Sequence, residues 1–149
     1  MNKRLHSILL ACALGTASAH AADAPAVTAA TPATPACPAA DKVGQAQLVG
    51  RWEARFAGRS DTGTMVLNPH PDFTNAVRGT VNYGDATAQV AGDVDEGIFA
   101  LDASSTGKSI TALWEGQVTA GSCGRKIEGT WTDSATDSKR AFVLRKLSP

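Results

Sequence analysis

The chain lacks an excess of charge of either sign, and it lacks a long apolar segment. Its 14 Lys and Arg residues balance 14 Asp and Glu residues. Proteins that bind nucleic acid through its phosphates usually carry a clear basic excess, so we expect no nucleic-acid partner. No apolar run approaches the roughly 20 residues that cross a bilayer as a helix, so we expect no membrane span. With 149 residues, the chain has room for one domain of ordinary size.

The first 21 residues have the pattern of a secretory signal peptide. Lys3 and Arg4 give a basic start, residues 5–15 are mostly apolar, and Ala19-His20-Ala21 matches a small-x-small cleavage site. We therefore predict a periplasmic or secreted protein. A lipoprotein is a minor alternative, because Leu9-Leu10-Ala11-Cys12 loosely fits a lipidation box but has only a short apolar stretch before it.

Histidine and cysteine are scarce in the remainder of the chain. Without residues 1–21, one histidine, His70, and two cysteines, Cys37 and Cys123, remain, and 12 basic residues face 14 acidic ones. In an oxidising compartment a single pair of cysteines most simply forms a disulfide. We predict this bond, which would attach the N-terminal segment to the folded domain and stabilise it by about 2–4 kcal/mol.

Residues 22–44 are predicted to be a tether. Between Ala22 and Ala40, 16 of 19 residues are Ala, Pro or Thr. A segment of this composition, interrupted by prolines, neither forms a helix nor buries a core. The folded domain is therefore predicted to span residues 45–149.

Apolar and polar residues alternate with a period of two through almost all of that domain, and no segment shows helical spacing. This pattern is typical of half-buried antiparallel strands. Short turn signals such as Gly84-Asp85 separate the strands, so sequential neighbours should pair. We predict an all-β fold, an eight-stranded antiparallel up-and-down barrel, with an open sandwich as the alternative. The predicted strands are 48–57, 63–68, 76–83, 86–94, 98–103, 109–118, 125–132 and 139–146.

Five glycines recur in phase on the face predicted to point inward. Each precedes a large inward residue by two positions, as Gly50 precedes Trp52 and Gly129 precedes Trp131. Glycine weakens a strand, so a repeated glycine needs a structural reason. A small, tightly coiled barrel provides one, because glycine permits the bend and the large residue fills the space beside it. The five are Gly50, Gly79, Gly92, Gly116 and Gly129.

These motifs resemble the avidin and streptavidin family. Gly50-Arg51-Trp52 is similar to the Gly-x-Trp of the first avidin strand, and Gly79-Thr80-Val81 is similar to the Gly-Thr-Tyr strand. Trp114-Glu115-Gly116-Gln117, followed by the strand that carries Trp131, resembles the avidin Trp-x-Gly-Gln strand and its successor. Lipocalins and small periplasmic inhibitors of bacterial metalloproteases also begin with Gly-x-Trp. The resemblance therefore implies an eight-stranded barrel more than it implies any one of these families.

The polar residues that hold biotin in avidins have no counterparts here. The matching positions are occupied by Ala54, Gly58, Ile110 and Ala112, and the last strand has no equivalent of the avidin aspartate. Only Trp114 and Trp131 carry over as pocket walls. Burying a ureido group without hydrogen-bond partners costs several kcal/mol, so we do not expect tight biotin binding.

No constellation of residues predicts catalysis, a metal site or a cofactor. His70 lies between two prolines in a loop, which is typical of a solvated residue and not of a positioned base. Ser105 and Lys108 mimic parts of two catalytic motifs but lack the rest, so they are interpreted as turn residues. The acidic stretch from Asp93 to Asp102 does not have calcium-loop spacing and is interpreted as a solvated hairpin. We predict a protein that is not an enzyme.

The predicted barrel interior is apolar and rich in glycine and alanine. Such an interior is either filled by its own side chains or hollow enough for a small molecule, and the sequence leaves both open. The leading hypothesis is an exported barrel that binds a small apolar or aromatic molecule. The residues predicted to form its site are Trp52, Tyr83, Trp114 and Trp131. Ile110 belongs to the predicted interior, and Arg145 is a candidate to cover Trp52 where the first and last strands meet.

The alternative hypothesis is a protein-interaction module such as a periplasmic protease inhibitor. In that case either the segment around Cys37 or the loop Asn68–Asn75 would enter a protein partner. The outward faces are polar, so we expect a monomer or a weak oligomer.

Overall fold

The chain folds into a closed antiparallel β-barrel. The structure is a computed structural model, and it describes residues 37–147. The predicted signal peptide, Cys12 and residues 22–36 of the predicted tether lie outside the described residues. The eight strands are β1 (Gly50–Phe56), β2 (Thr62–Pro69), β3 (Val77–Tyr83), β4 (Ala86–Asp95), β5 (Ile98–Ser104), β6 (Ala112–Val118), β7 (Lys126–Asp133) and β8 (Lys139–Lys146).

Each strand pairs with its neighbour in the sequence, and β1 also pairs with β8. The closing register joins Ala54 to Leu144 and Phe56 to Phe142. This pairing confirms the predicted up-and-down barrel and excludes the open sandwich. Closure leaves no unpaired edge strand, which removes a template for aggregation.

Two strands and one turn differ from the sequence-based expectation. β6 begins at Ala112 instead of residue 109, so Ile110 lies outside the barrel and is 51% exposed, and its assignment to the interior was wrong. The turn after β4 has two residues, Glu96 and Gly97, both with positive φ. A two-residue turn of this kind matches the right-handed twist of its strands. β2 extends to Pro69, at the end of its ladder with β3.

Four of the five in-phase glycines lie where neighbouring strands approach too closely for a side chain. A Cβ atom on Gly79 would lie 1.7 Å from the Val66 carbonyl oxygen. Gly116 and Gly129 face each other across β6 and β7, and a Cβ atom on Gly129 would lie 2.1 Å from the Glu115 oxygen. The glycines therefore permit the close backbone approach that a small barrel requires.

A short N-terminal plug, residues 37–48, closes one end of the barrel. It contains a 3-10 turn, Ala40–Lys42, and a one-turn helix, α1 (Gln45–Leu48), neither of which the sequence pattern predicted. Val43 and Leu48 of the plug are buried in the core. The last part of the predicted tether therefore packs against the barrel. No helix within residues 37–147 is long and apolar enough to cross a membrane.

The plug is joined to three different connections of the barrel. Gln45 Nε2 donates a hydrogen bond to the Ala76 carbonyl in the β2–β3 connection. Gly97, in the β4–β5 turn, lies against Ala40. Cys37 lies at disulfide distance from Cys123 in the β6–β7 connection, with the sulfurs 2.09 Å apart. The predicted cysteine pair is therefore present, and it attaches the start of the plug.

Trp52 packs against the plug from inside the barrel. Its side chain is fully buried, and its indole N–H donates to the Leu48 carbonyl at 2.8 Å. Lys146 pairs in register with Trp52, its ammonium lies 5.6 Å from the ring centroid, and it donates to the Gln47 carbonyl. The cation over Trp52 is therefore Lys146 and not Arg145, because antiparallel partners share a face and Arg145 pairs with outward-facing Glu53.

The half of the barrel nearest the plug is filled by its own side chains. Leu48, Trp52, Met65, Leu67, Val77, Phe99, Leu101, Ile127, Phe142 and Leu144 are each at most 2% exposed. This set includes Phe99 and Leu101 of β5, a strand for which the sequence analysis assigned no inward residues.

Candidate functional site

The other half of the barrel contains an open cavity of about 420 Å³. It lies at the end formed by the β1–β2, β3–β4, β5–β6 and β7–β8 connections, opposite the plug. Its walls combine aromatic rings with small residues such as Ala88 and Ala112, which leave the space unfilled. The cavity is within the size range of small-molecule sites, about 300–1,000 Å³.

The rings of the cavity meet at Phe56, the last residue of β1. Its centroid lies 4.9 Å from that of Tyr83, 5.3 Å from that of Trp114 and 5.9 Å from that of Trp131. These distances and the tilted or edge-to-face angles are those of favourable aromatic pairs. Behind Trp114, Phe142 lies 4.9 Å away and connects this cluster to the filled half of the barrel.

The barrel brings three of the four predicted site residues together and separates the fourth. Tyr83, Trp114 and Trp131 line the cavity, and the two tryptophans are direct cross-strand partners. Trp52 lies at the opposite end, against the plug. The difference arises because Trp52 is near the start of β1, whereas Phe56, four residues later on the same inward face, is at the cavity.

An ion pair at the rim holds the Tyr83 side of the cavity in place. Arg59 donates two hydrogen bonds to the Asp61 carboxylate, both at 2.9 Å, and its guanidinium lies 5.0 Å from the Tyr83 centroid. The hydrogen bonds from Arg59 lower the pKa of Asp61 to about 2. The pair therefore stays ionised through the neutral and mildly acidic range. Tyr83 also donates its hydroxyl to the Asp61 carbonyl at 3.3 Å.

Trp114 carries a polar group with no partner among residues 37–147. Its side chain is 2% exposed, and its indole N–H is buried without a hydrogen bond. An unpaired buried donor typically costs about 1–3 kcal/mol, so such groups often mark a place where a ligand or water is accepted. The ring of Trp114 lines the cavity, whereas its N–H is enclosed by the surrounding protein.

The remaining polar candidates lie outside the cavity or stabilise turns. His70 Nδ1 accepts hydrogen bonds from the Asp72 and Phe73 amides, which organises the β2–β3 connection. The β5–β6 loop is held in a similar way, with Thr106 Oγ1 accepting from the Lys108 amide. No group of three or more His, Cys, Asp or Glu side chains within residues 37–147 is arranged to hold a metal ion.

Sequence reasoning did not identify three residues of this site. Phe56 was in the predicted interior but was not chosen as a site residue, and Arg59 and Arg140 were not chosen either. Arg140 could have been found from the register of β8, because the alternation that points Phe142 inward also points Arg140 inward at the rim.

No family model matches the chain, and no curated protein sequence matches it significantly. The eight-stranded up-and-down architecture is compatible with avidin-like and lipocalin-like barrels alike.

Proposed function

We propose that this protein is an exported, non-catalytic barrel that binds a small apolar or aromatic molecule in its open half. The observation that carries the proposal is the aromatic-walled cavity, in which Tyr83, Trp114 and Trp131 surround about 420 Å³ of space. An apolar ring placed there would gain contacts with these rings and lose its hydration. The adjacent half of the barrel is already filled and would provide a rigid floor.

The predicted leader and the cysteine pair support export. Disulfides persist in oxidising compartments and are rare in the cytosol of mesophiles, and Cys37 and Cys123 lie at disulfide distance. Under this proposal the protein works outside the cytoplasm, in the periplasm or beyond it.

A cavity-filling substitution tests the ligand proposal directly. Ala88 lines the cavity and Ala91 faces outward on the same strand. We expect Ala88→Phe to weaken binding of the neutral fluorescent probe N-phenyl-1-naphthylamine by more than about tenfold, because the new ring takes the ligand's place. Ala91→Phe, the matched control, should bind like the parent protein.

Probe fluorescence titrations measure the affinity, and circular dichroism checks that both variants keep the barrel. The proposal is contradicted if the folded parent protein does not bind the probe, or if Ala88→Phe binds as well as Ala91→Phe. Native mass spectrometry of the protein purified gently from its own compartment would show whether it carries a small molecule of a few hundred daltons.

A second candidate function is protein binding through the β2–β3 connection. Phe73 is 65% exposed there, and its ring lies 4.8 Å from that of His70, whose Nδ1 also holds the Phe73 amide. A large apolar side chain presented on an ordered loop is suited to insertion into a partner's pocket. This candidate fits the alternative of a protease inhibitor.

Inhibition assays against extracellular proteases of each mechanistic class test this candidate. If Phe73 enters the protease, Phe73→Ala should raise the inhibition constant by more than about tenfold, as truncation of an interface anchor does. Ile98→Ala is the matched control, because Ile98 is also an exposed apolar residue but lies beside a different turn. If the parent protein inhibits no protease of any mechanistic class, the inhibitor hypothesis is wrong.

A further inference from the structure

The polar groups around the cavity differ in whether they already have partners. Arg59 is occupied by Asp61, with which it forms a two-bond ion pair. Among residues 37–147, Asp133 provides the one carboxylate that lines the cavity. One of its oxygens accepts hydrogen bonds from the Ala135 amide, the Thr136 amide and the Thr136 hydroxyl. That carboxylate therefore caps the β7–β8 turn. Neither Arg59 nor Asp133 is poised to pair with a charged ligand.

Arg140 is the charged group at the cavity that is left without such a partner. It lines the cavity, and no ion pair or side-chain hydrogen bond within residues 37–147 involves its guanidinium. The β-sheet register places it directly opposite Trp131, which in turn lies opposite Trp114. Because cross-strand partners share a face, these three side chains form one inward row from the buried interior to the rim.

This row offers hydrogen-bond donors and no acceptor. Arg140 contributes the guanidinium at the rim, and Trp114 and Trp131 contribute their rings. Indole N–H and guanidinium groups donate hydrogen bonds but cannot accept them. A ligand that matches the row therefore carries acceptors, and a negative charge beside Arg140 would be favoured by charge-assisted bonds.

We propose that the ligand is an amphipathic anion, with a flat apolar body packed in the cavity against the ring cluster of Trp114, Trp131 and Phe56 and a carboxylate-like group at Arg140 on the rim. This inference rests on the proposed function, because it names the chemical class that the same cavity accepts. The guanidinium matches a carboxylate in a two-bond geometry that a neutral amide cannot reproduce.

Two probes of nearly identical shape separate charge from shape. These are 2-naphthoate and its neutral amide, 2-naphthamide, and their binding to the full chain is measured by isothermal titration calorimetry. We expect the parent protein to bind the carboxylate more tightly than the amide. Arg140→Gln should weaken binding of 2-naphthoate about tenfold and change binding of 2-naphthamide less than about twofold, as expected for loss of a charge-assisted bond.

Arg145→Gln is the matched control, because Arg145 lies on the same strand but pairs with Glu53 and Lys126 on the outer face. It removes the same net charge without changing the cavity, so it should leave both affinities within about twofold of the parent values. Circular dichroism and thermal unfolding confirm that both variants are folded.

The outcomes distinguish this inference from the proposed function. If the folded parent protein binds 2-naphthamide as tightly as 2-naphthoate, or if Arg145→Gln weakens the carboxylate as much as Arg140→Gln, the anionic ligand class is overturned while apolar binding stands. If the folded parent protein binds none of the three probes (2-naphthoate, 2-naphthamide and N-phenyl-1-naphthylamine), the proposed function is wrong, and this inference is wrong with it.

Discussion

At the scale of single residues, the hydrogen-bond partner of each side chain distinguishes the plug from the cavity. Trp52 and Trp114 are both tryptophans on inward faces, yet the first donates its N–H to Leu48 and the second has no partner in the described chain. The first is thereby a structural residue that stabilises the plug. The second lines the cavity with its ring.

Tyr83 provides a spectroscopic test of the site at this scale, since it is the one tyrosine of the chain. Burial in the cavity wall raises the pKa of its hydroxyl above 10.0, and Asp61 raises it further, whereas the nearby Arg59 lowers it. We expect an ultraviolet titration to give a midpoint above the ordinary value, and Arg59→Gln to move it higher. Arg55→Gln, on the outer face of β1, should have no effect, and a midpoint at or below 10.0 would contradict the assignment.

At the scale of the strands, the glycines determine how closely neighbouring backbones approach. Gly116 and Gly129 are cross-strand partners, and each occupies a position where a Cβ atom would collide with the other strand. Trp114 and Trp131 form the next inward pair along the same two strands. The close approach at the glycines therefore helps to position the two tryptophans of the cavity.

Gly129→Ala tests this role. The added methyl group would meet backbone atoms, which cannot rotate away as a side chain does, so we expect a loss of about 1–3 kcal/mol or more in the free energy of unfolding. Gly44→Ala is the matched control, because its Cβ atom would have no neighbour closer than 4.0 Å. Urea denaturation monitored by tryptophan fluorescence measures both, and equal stability of the two variants would refute the backbone-contact argument.

At the scale of the whole molecule, the barrel has two unlike ends. One is closed by the plug, with Val43, Leu48 and Trp52 buried and Cys37 attached to Cys123. The other is open and contains the cavity. The plug and the cavity are therefore separated along the barrel axis, and we expect that each can be changed without the other.

The double substitution Cys37→Ser with Cys123→Ser tests this separation. The bond would close a loop with a sequence separation of 86 residues, so its loss should lower the free energy of unfolding by about 2–4 kcal/mol. Affinity for N-phenyl-1-naphthylamine should be unchanged at a temperature where the variant is folded, because the cavity is at the other end. Reduction of the parent protein should reproduce the same loss of stability. A variant of unchanged stability, or one that is folded but does not bind the probe, would contradict the separation.

The local pattern determined the strands and their order, because alternation with a period of two and short turns act between neighbouring residues. It therefore predicted eight strands and their sequential pairing, with the recurring glycines in phase. The pairing of Cys37 with Cys123 was predicted separately, from the number of cysteines that remain without residues 1–21. The local pattern also selected Tyr83, Trp114 and Trp131, because all three lie in phase on inward faces.

Only the tertiary structure decided which end of the barrel is filled and which is hollow. That outcome depends on the register at closure, which places Phe56 among the aromatic rings and Trp52 at the plug, and on residues 37–48, whose composition shows no amphipathic pattern. These features arise from contacts between residues far apart in the chain, and alternation within one strand carries no information about how distant strands are aligned.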